Sequence, residues 1–213
     1  MMDKTQRLQD IAAQVRVCTR CALCKGRTHA VPGEGPATAA IMIIGEGPGF
    51  YEDQQGRPFV GRSGQLLEKL LAGIELERSD VFITNVVKCR PPDNRDPLPE
   101  EIEACRPWLD QQIALIQPKV IVTVGRFAMT RWFPHDKIST IHGRAKRFDN
   151  VLVVPMFHPA AALRNVNLLP QLEADFKKLP QYIRDNSSAP PAPAAPPPEA
   201  PKTAEPPQQL KMF

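Results

Sequence analysis

No stretch of this chain approaches the roughly 18 uninterrupted apolar residues that a membrane span requires. The opening Met1-Met2-Asp3-Lys4 is without the apolar run of a secretory signal, so an intracellular, cytoplasmic protein is expected. No internal repeat is present, and neither sign of charge dominates. A net charge of +4 and a pI near 8.9 give a mild basic bias, compatible with a polyanionic partner but insufficient to identify one. From Ser187 to Gln208 the chain has no aromatic or large aliphatic residue and reads SSAPPAPAAPPPEAPKTAEPPQ. Such a segment cannot bury enough apolar surface to offset the cost of ordering it. It is expected to be a disordered tether with a polyproline lean, separating residues 1–185 from a hydrophobic tip at 209–213. Of the 213 residues, those before the tether suffice for one domain with a full core.

Five cysteines sit in two separated groups, Cys18-Thr-Arg-Cys21-Ala-Leu-Cys24 and Cys89 with Cys105, and no disulfide framework explains them well. Soft ligands gathered from distant parts of a chain are how a protein holds zinc or an iron–sulfur cluster, and four thiolates suit either. An oxidising compartment would favour disulfides instead, which again points inside the cell. Such a centre would bring the N-terminal segment back to the region between Cys89 and Cys105. That region carries the chain's most unusual loop, Arg90-Pro-Pro-Asp-Asn-Arg-Asp-Pro97.

Ala40–Ile44, Val81–Val87, Lys119–Val124 and Val151–Pro155 are short, β-branched apolar runs without strict alternation. That is the pattern of strands covered on both faces, hence of a parallel sheet. Helical stretches lie around them at Thr5–Val17, Gly64–Leu71, Pro99–Ile116, Arg126–Trp132 and Leu168–Ile183. The alternation predicts an α/β fold, a three-layer α/β/α sandwich with a central, mostly parallel sheet of about four strands. In such sheets, sites form at the carboxyl ends of the strands. Each predicted strand here ends in a marked segment. GEGPG follows the first, with Glu52, Asp53 and GRPFVGRSG beyond it; Asn85 and Lys88-Cys89-Arg90 end the second. Gly125-Arg126 ends the third and HPAAALR, from His158, ends the fourth.

GEGPG, GRPFVGRSGQLL, TNVVKCRPPDNRDP and HPAAALR, in this order after Cys-x-x-Cys, resemble the family 4 uracil-DNA glycosylases. These form the iron–sulfur branch of the uracil-DNA glycosylase superfamily, and the resemblance covers about residues 5–183. It implies hydrolysis of the N-glycosidic bond of deoxyuridine in DNA, leaving an abasic site for base excision repair. It also implies a [4Fe–4S] cluster held by Cys18, Cys21, Cys89 and Cys105, with Cys24 a nearby free thiol. The cluster's implied task is structural, pinning the Arg90–Asp96 loop against DNA.

The same resemblance assigns roles at the strand ends. His158 matches the histidine that binds uracil O2, a task suited to a neutral imidazole at a helix start; a plain helix-capping histidine is the alternative. Asn85 matches the asparagine that reads the base edge, accepting from N3–H and donating to O4, a pattern that cytosine reverses. Phe59 is expected to be the stacking platform under the flipped base, with a core aromatic the alternative. Gly47 stands where family 1 relatives carry a water-assisting aspartate. Glu46 matches the residue that crowds the place of a thymine methyl group, and Glu52 is the candidate for positioning water or stabilising the sugar cation. For both carboxylates the alternative is an exposed turn beside Arg57.

Lys88, Arg90, Arg95 and Arg62 are candidates for phosphate contacts. Leu163 and Arg164 are candidates to enter the stack after base extrusion, with Leu163 as a core contact the alternative. The terminal Gln209, Leu210, Met212 and Phe213 resemble the bacterial sliding-clamp binding motif. A tether of about twenty residues would let that tip reach roughly 60 Å. Two other functions stay open from sequence: a noncatalytic or DNA-trapping uracil-DNA binding protein tethered to the clamp, and an iron–sulfur electron-transfer or structural protein. Trapping relatives of the first kind carry a basic, histidine-bearing insertion after the second strand, and here Asn85 runs to Cys105 without it. The second would not need Asn85, Phe59 and His158 together. A monomer is expected.

Overall fold

A computed structural model describes residues 3–187, so the tether beyond and the 209–213 tip lie outside the described residues. In chain order the elements are α1 (Lys4–Arg16), β1 (Ile41–Gly45), α2 (Phe50–Gln55), α3 (Arg62–Ala72), β2 (Val81–Asn85), α4 (Pro99–Ile116) and β3 (Val120–Val124). They continue as α5 (Arg126–Met129), α6 (Ile138–Ile141), β4 (Lys146–Phe148), β5 (Val151–Met156), α7 (Pro159–Arg164), α8 (Leu169–Phe176) and α9 (Leu179–Ser187). The strands form one sheet in the order β2-β1-β3-β5-β4, parallel except for β4.

Every residue of β1, β2 and β3 is buried, as uniform apolar runs in a two-sided sheet require. Successive side chains of a strand alternate in face, and the core divides accordingly. Met42, Ile44, Phe82 and Ile121 pack under α1 and α4 with Ile11, Val15 and Trp108. Ile41, Ile43, Val81 and Val122 pack on the other face with Leu67, Leu71, Leu172 and Phe176 of α3 and α8. The three layers are thus helices, sheet, helices. The free edge of β2 is covered by Glu34, whose backbone exchanges N–H···O bonds with Ile83 at 2.9 and 2.7 Å, closing a template for unwanted pairing.

The sheet has five strands rather than about four. β4 escaped notice because Lys146-Arg147-Phe148 is short and polar, as edge strands are. It pairs with β5 across the two-residue turn Asp149-Asn150, with Asp149 in the left-handed region at φ 48°. Two predicted helices are also shorter than expected. The Arg126–Trp132 stretch holds a helix only to Met129. The Leu168–Ile183 stretch is split into α8 and α9 by a turn at Lys177-Lys178, because Pro180 has no N–H to donate back to Phe176; it sits instead in the first turn of α9, where a missing donor costs nothing. Among the described residues no helix is long and apolar enough to cross a membrane.

Candidate active site

A cavity of about 630 Å³ opens at the carboxyl ends of the strands, and Phe59, Asn85 and His158 all line it. Gly45 stands beside Asn85 in the β1–β2 register. A Cβ there would lie 2.4 Å from Asn85 Oδ1 and 2.7 Å from the Phe59 ring, so only glycine lets the amide and the aromatic plate meet. The pairing runs on past the strands: Val86 and Val87 N–H donate to the carbonyls of Gly45 and Glu46 at 2.9 and 3.1 Å. Gly47 lines the cavity, and a side chain on it would press within 2.8 Å of Val87 Cγ2.

Asn85 is buried, and its Oδ1 has no hydrogen-bond partner among the described residues. An acceptor left bare in a buried place costs about 1–3 kcal/mol, which a donor entering the cavity would recover. Phe59 is held in a backbone conformation that side-chain-bearing residues rarely adopt, φ 52°. Three neighbours hold it there. The Arg78 guanidinium donates to Phe59 O at 3.0 Å and also to Pro58 O. Gly64 closes behind, where a Cβ would come within 1.8 Å of Phe59 O. Glu52 Oε1 accepts from Val60 and Gly61 N–H at 2.9 and 3.0 Å, and its Oε2 accepts from Gly49 N–H at 3.2 Å. Glu52, which also lines the cavity, therefore braces the turn that carries Phe59. Sequence reasoning passed over Arg78 and Gly45, since neither role can be read without knowing which segments meet.

His158 ends the β5 crossover and begins α7. Its Nδ1 accepts from Ala160 N–H at 3.0 Å, which leaves the proton on Nε2. Burial, then the nearby Arg164 charge, lower its pKa to about 4, against a smaller opposing pull from Glu52. The ring is therefore neutral at ordinary pH and offers one N–H. Helix capping and hydrogen-bond donation are two ends of the same ring. The ring stacks beside Phe59 at 5.7 Å between centroids and 23° between planes. Gly125, at φ 96°, makes room for it, since a Cβ there would be 3.3 Å from the histidine.

Glu46 is half-buried in the cavity wall. Burial, and next Asp96, raise its pKa, while Arg126 and Arg164 oppose them. The arginine expected beside the Glu46 and Glu52 carboxylates has a different partner: Arg57 forks onto Glu34 at 2.7 and 2.8 Å. Asp53 is buried, accepting Thr28 N–H at 2.9 and 3.1 Å, and so ties the segment after the cysteines to α2.

Among the candidate phosphate contacts, one needs correction. Lys88 is 1% exposed, and its ammonium donates to Thr84 Oγ1, Asn85 O at 2.9 Å and Gln112 Oε1 at 2.8 Å. A side chain so enclosed cannot meet a DNA backbone; three oxygens receive the inward-turned ammonium, and burial still lowers its pKa to about 8. Arg95 lines the cavity but is forked onto Glu101 at 2.7 and 2.9 Å. Arg90 donates to Asn94 Oδ1 at 2.8 Å, shaping its own loop. Arg62 and Arg164 are exposed, Arg164 on the cavity wall. Leu163 is 39% exposed on α7, so it is not a core contact.

The five cysteines meet around a second, small cleft together with Arg27 and Trp108. Three sulfurs receive N–H groups: Cys89 from the Arg27 guanidinium at 3.1 Å, Cys18 from the Trp108 indole at 3.3 Å, and Cys105 from the Lys88 backbone at 3.2 Å. Burial raises the Cys21 and Cys89 thiols and pushes Cys105 up to about 11. Among the described residues no three His, Cys, Asp or Glu side chains close on a point as one metal ion would need.

Comparison with known proteins shows the family. The model of the uracil DNA glycosylase superfamily matches residues 32–184. The type-4 uracil-DNA glycosylase of Sulfurisphaera tokodaii is 49% identical over 182 residues, 81% of this chain and 83% of the relative. That of Saccharolobus solfataricus is 47% identical over 183 residues, 81% and 85% of the two chains. That of Thermotoga maritima is 44% identical over 168 residues, 78% and 88%.

The imidazole of His158 is expected to gain its second proton near pH 4 rather than 6.5, read from its ring proton shifts in an NMR titration. With the folded value below the unfolded one, the native state binds fewer protons in that interval. The stability linked to this group is therefore complete above about 6.5 and is lost as pH falls toward 4. A midpoint at the ordinary value would contradict the assigned tautomer and burial.

Proposed function

The chain belongs to the uracil DNA glycosylase superfamily, and from that membership and the pocket we propose that it is a uracil-DNA glycosylase. It takes uracil, the product of cytosine deamination, out of the duplex and hydrolyses its bond to deoxyribose. The observation that carries this reading is the bare, buried Asn85 Oδ1, in one cavity with a stacking ring and a histidine whose only proton is on Nε2.

The chemistry follows from those atoms. Uracil stacks on Phe59, giving N3–H to Asn85 Oδ1 and receiving the Asn85 amide N–H at O4. Cytosine presents an acceptor and a donor at those positions, which leaves both amide atoms mispaired. As the N1–C1′ bond breaks, its electron pair passes to the base and accumulates on O2, where His158 Nε2–H donates. A neutral donor set in place beforehand stabilises that anion without reorganisation. The sugar is left as an oxocarbenium ion; water adds to C1′ and loses a proton, giving the abasic site. Glu46, on the cavity wall, is the residue we assign to excluding a 5-methyl group. Because such a bond breaks with little help from a nucleophile, a strong base at Gly47 is not needed.

For the cysteine cleft the fitting group is a [4Fe–4S] cluster on Cys18, Cys21, Cys89 and Cys105, with Cys24 as a free thiol. Two observations support it. The sulfurs surround a cleft rather than a point, and three of them already receive N–H groups of the kind that favour thiolate. The cluster would supply a structural tie between the 18–27 segment and α4. Free thiols and a DNA substrate favour a reducing, cytoplasmic compartment. Clamp binding through Gln209, Leu210, Met212 and Phe213 completes the proposal, as a way to raise local concentration at newly made DNA.

Three outcomes are expected. On a uracil-containing oligonucleotide followed by alkali, His158→Ala and Asn85→Ala should each cut single-turnover rates by about 100-fold or more, with unfolding midpoints near that of the parent; full activity in both would refute the site. Fresh protein should be brown and hold about four irons and four sulfides, kept in Cys24→Ser and lost in Cys89→Ser, whereas a colourless zinc-loaded sample would refute the cluster. Calorimetry with purified sliding clamp should show binding that disappears on deleting 209–213.

A further inference from the structure

α2 directly follows the glycine loop at the cavity mouth, yet its first two side chains face outward. Phe50 is 51% exposed and Tyr51 58% exposed, while Asp53 is the residue of this helix that is buried. Two adjacent aromatic rings in water leave a large apolar area uncovered beside a functional cavity. They are not randomly placed. The rings meet edge to face with centroids 5.5 Å apart. The Arg90 guanidinium lies 5.2 Å from the centre of Phe50. At the other end, Tyr51 flanks Gly61, where an added Cβ would come within 3.4 Å of its ring, and the exposed Arg62 is the next residue. Gly49, immediately before Phe50, lines the cavity itself. The result is a ledge of two exposed aromatic rings at the cavity rim, with the Arg90 guanidinium over Phe50 and the exposed Arg62 one residue past the glycine that Tyr51 flanks.

We propose that Phe50 and Tyr51 are a stacking platform for a nucleobase adjoining the extruded one, with Arg90 and Arg62 on the flanking phosphates. The occupant is the DNA strand itself, and charge selects it: exposed aromatic rings interleaved with arginines match a strand of bases and phosphates. Base–aromatic stacking needs no particular sequence, which suits an enzyme that must meet uracil in any context. The proposal rests on the glycosylase reading but uses none of the groups placed around the uracil.

The test compares the full-length protein with Phe50→Ala/Tyr51→Ala, Phe50→Trp and Arg90→Ala, on single-stranded oligonucleotides carrying one uracil. For the double variant, KM and the Kd measured by fluorescence anisotropy should rise about tenfold or more. Its kcat at saturating DNA should stay within about twofold and its unfolding midpoint should not move, since both rings are half in water. Phe50→Trp should bind at least as tightly as the parent. The slope of log Kd against log salt should be unchanged in the double variant and smaller by about one in Arg90→Ala. Unchanged KM and Kd in the double variant would overturn the proposal, as would a lowered midpoint or lowered kcat with KM intact, which would mean that the rings only shape α2. Failure of the glycosylase reading looks different: the parent protein would leave uracil in place, while anisotropy would still decide the ledge.

Discussion

Gly45 lies opposite Asn85 in a parallel register, and the pocket depends on that single juxtaposition. The space that a Cβ would fill is shared by the amide oxygen and the edge of the aromatic plate. Because the ladder continues through Val86 and Val87 onto the carbonyls of Gly45 and Glu46, the loop after β1 cannot move independently of the end of β2. Placement to a fraction of an ångström, which discrimination between uracil and cytosine demands, thus rests on strand pairing, the stiffest bonding in the fold. The plate is added with strain, and the strain is countered locally: Glu52 gathers three backbone N–H groups and Arg78 gathers two carbonyls around Phe59. A left-handed non-glycine residue persists only where its surroundings over-determine it, and such residues concentrate at functional sites.

The segment from Asn85 to Cys89 joins the pocket to the cysteine cleft within five residues. Asn85 turns its amide into the cavity while its own carbonyl accepts from the Lys88 ammonium. Lys88, in turn, gives its backbone N–H to Cys105. Arg27 completes the arrangement from the far side, bonding the carbonyls of Arg16 and Cys18 and the sulfur of Cys89. Hydrogen bonds thus tie the cysteine cleft to the end of β2 that carries Asn85.

Much of the architecture was legible because its signals are local. Uniform β-branched runs announce buried parallel strands, and glycine-rich or histidine-bearing segments at their ends announce a site. β4 was missed because three polar residues at a sheet edge carry no such pattern, and the α8–α9 break because a helical periodicity can run through a proline that the backbone cannot follow. Lys88 misled for a different reason. A lysine between a strand and a basic loop reads as surface, and only the arrival of Thr84, Gln112 and the Asn85 carbonyl around it makes burial tolerable. Likewise, Glu52 reads as a free acid until the turns at 49 and 60–61 close on it.

By itself the sequence determined the layer order, the family and the three residue types that meet in the cavity, since each is written in periodicity or in a contiguous motif. Tertiary structure alone decided which nitrogen of His158 carries the proton, which carboxylate braces the Phe59 turn, and which cation faces inward. Those properties belong to pairs of groups far apart in the chain, and no residue's own chemistry states its neighbour.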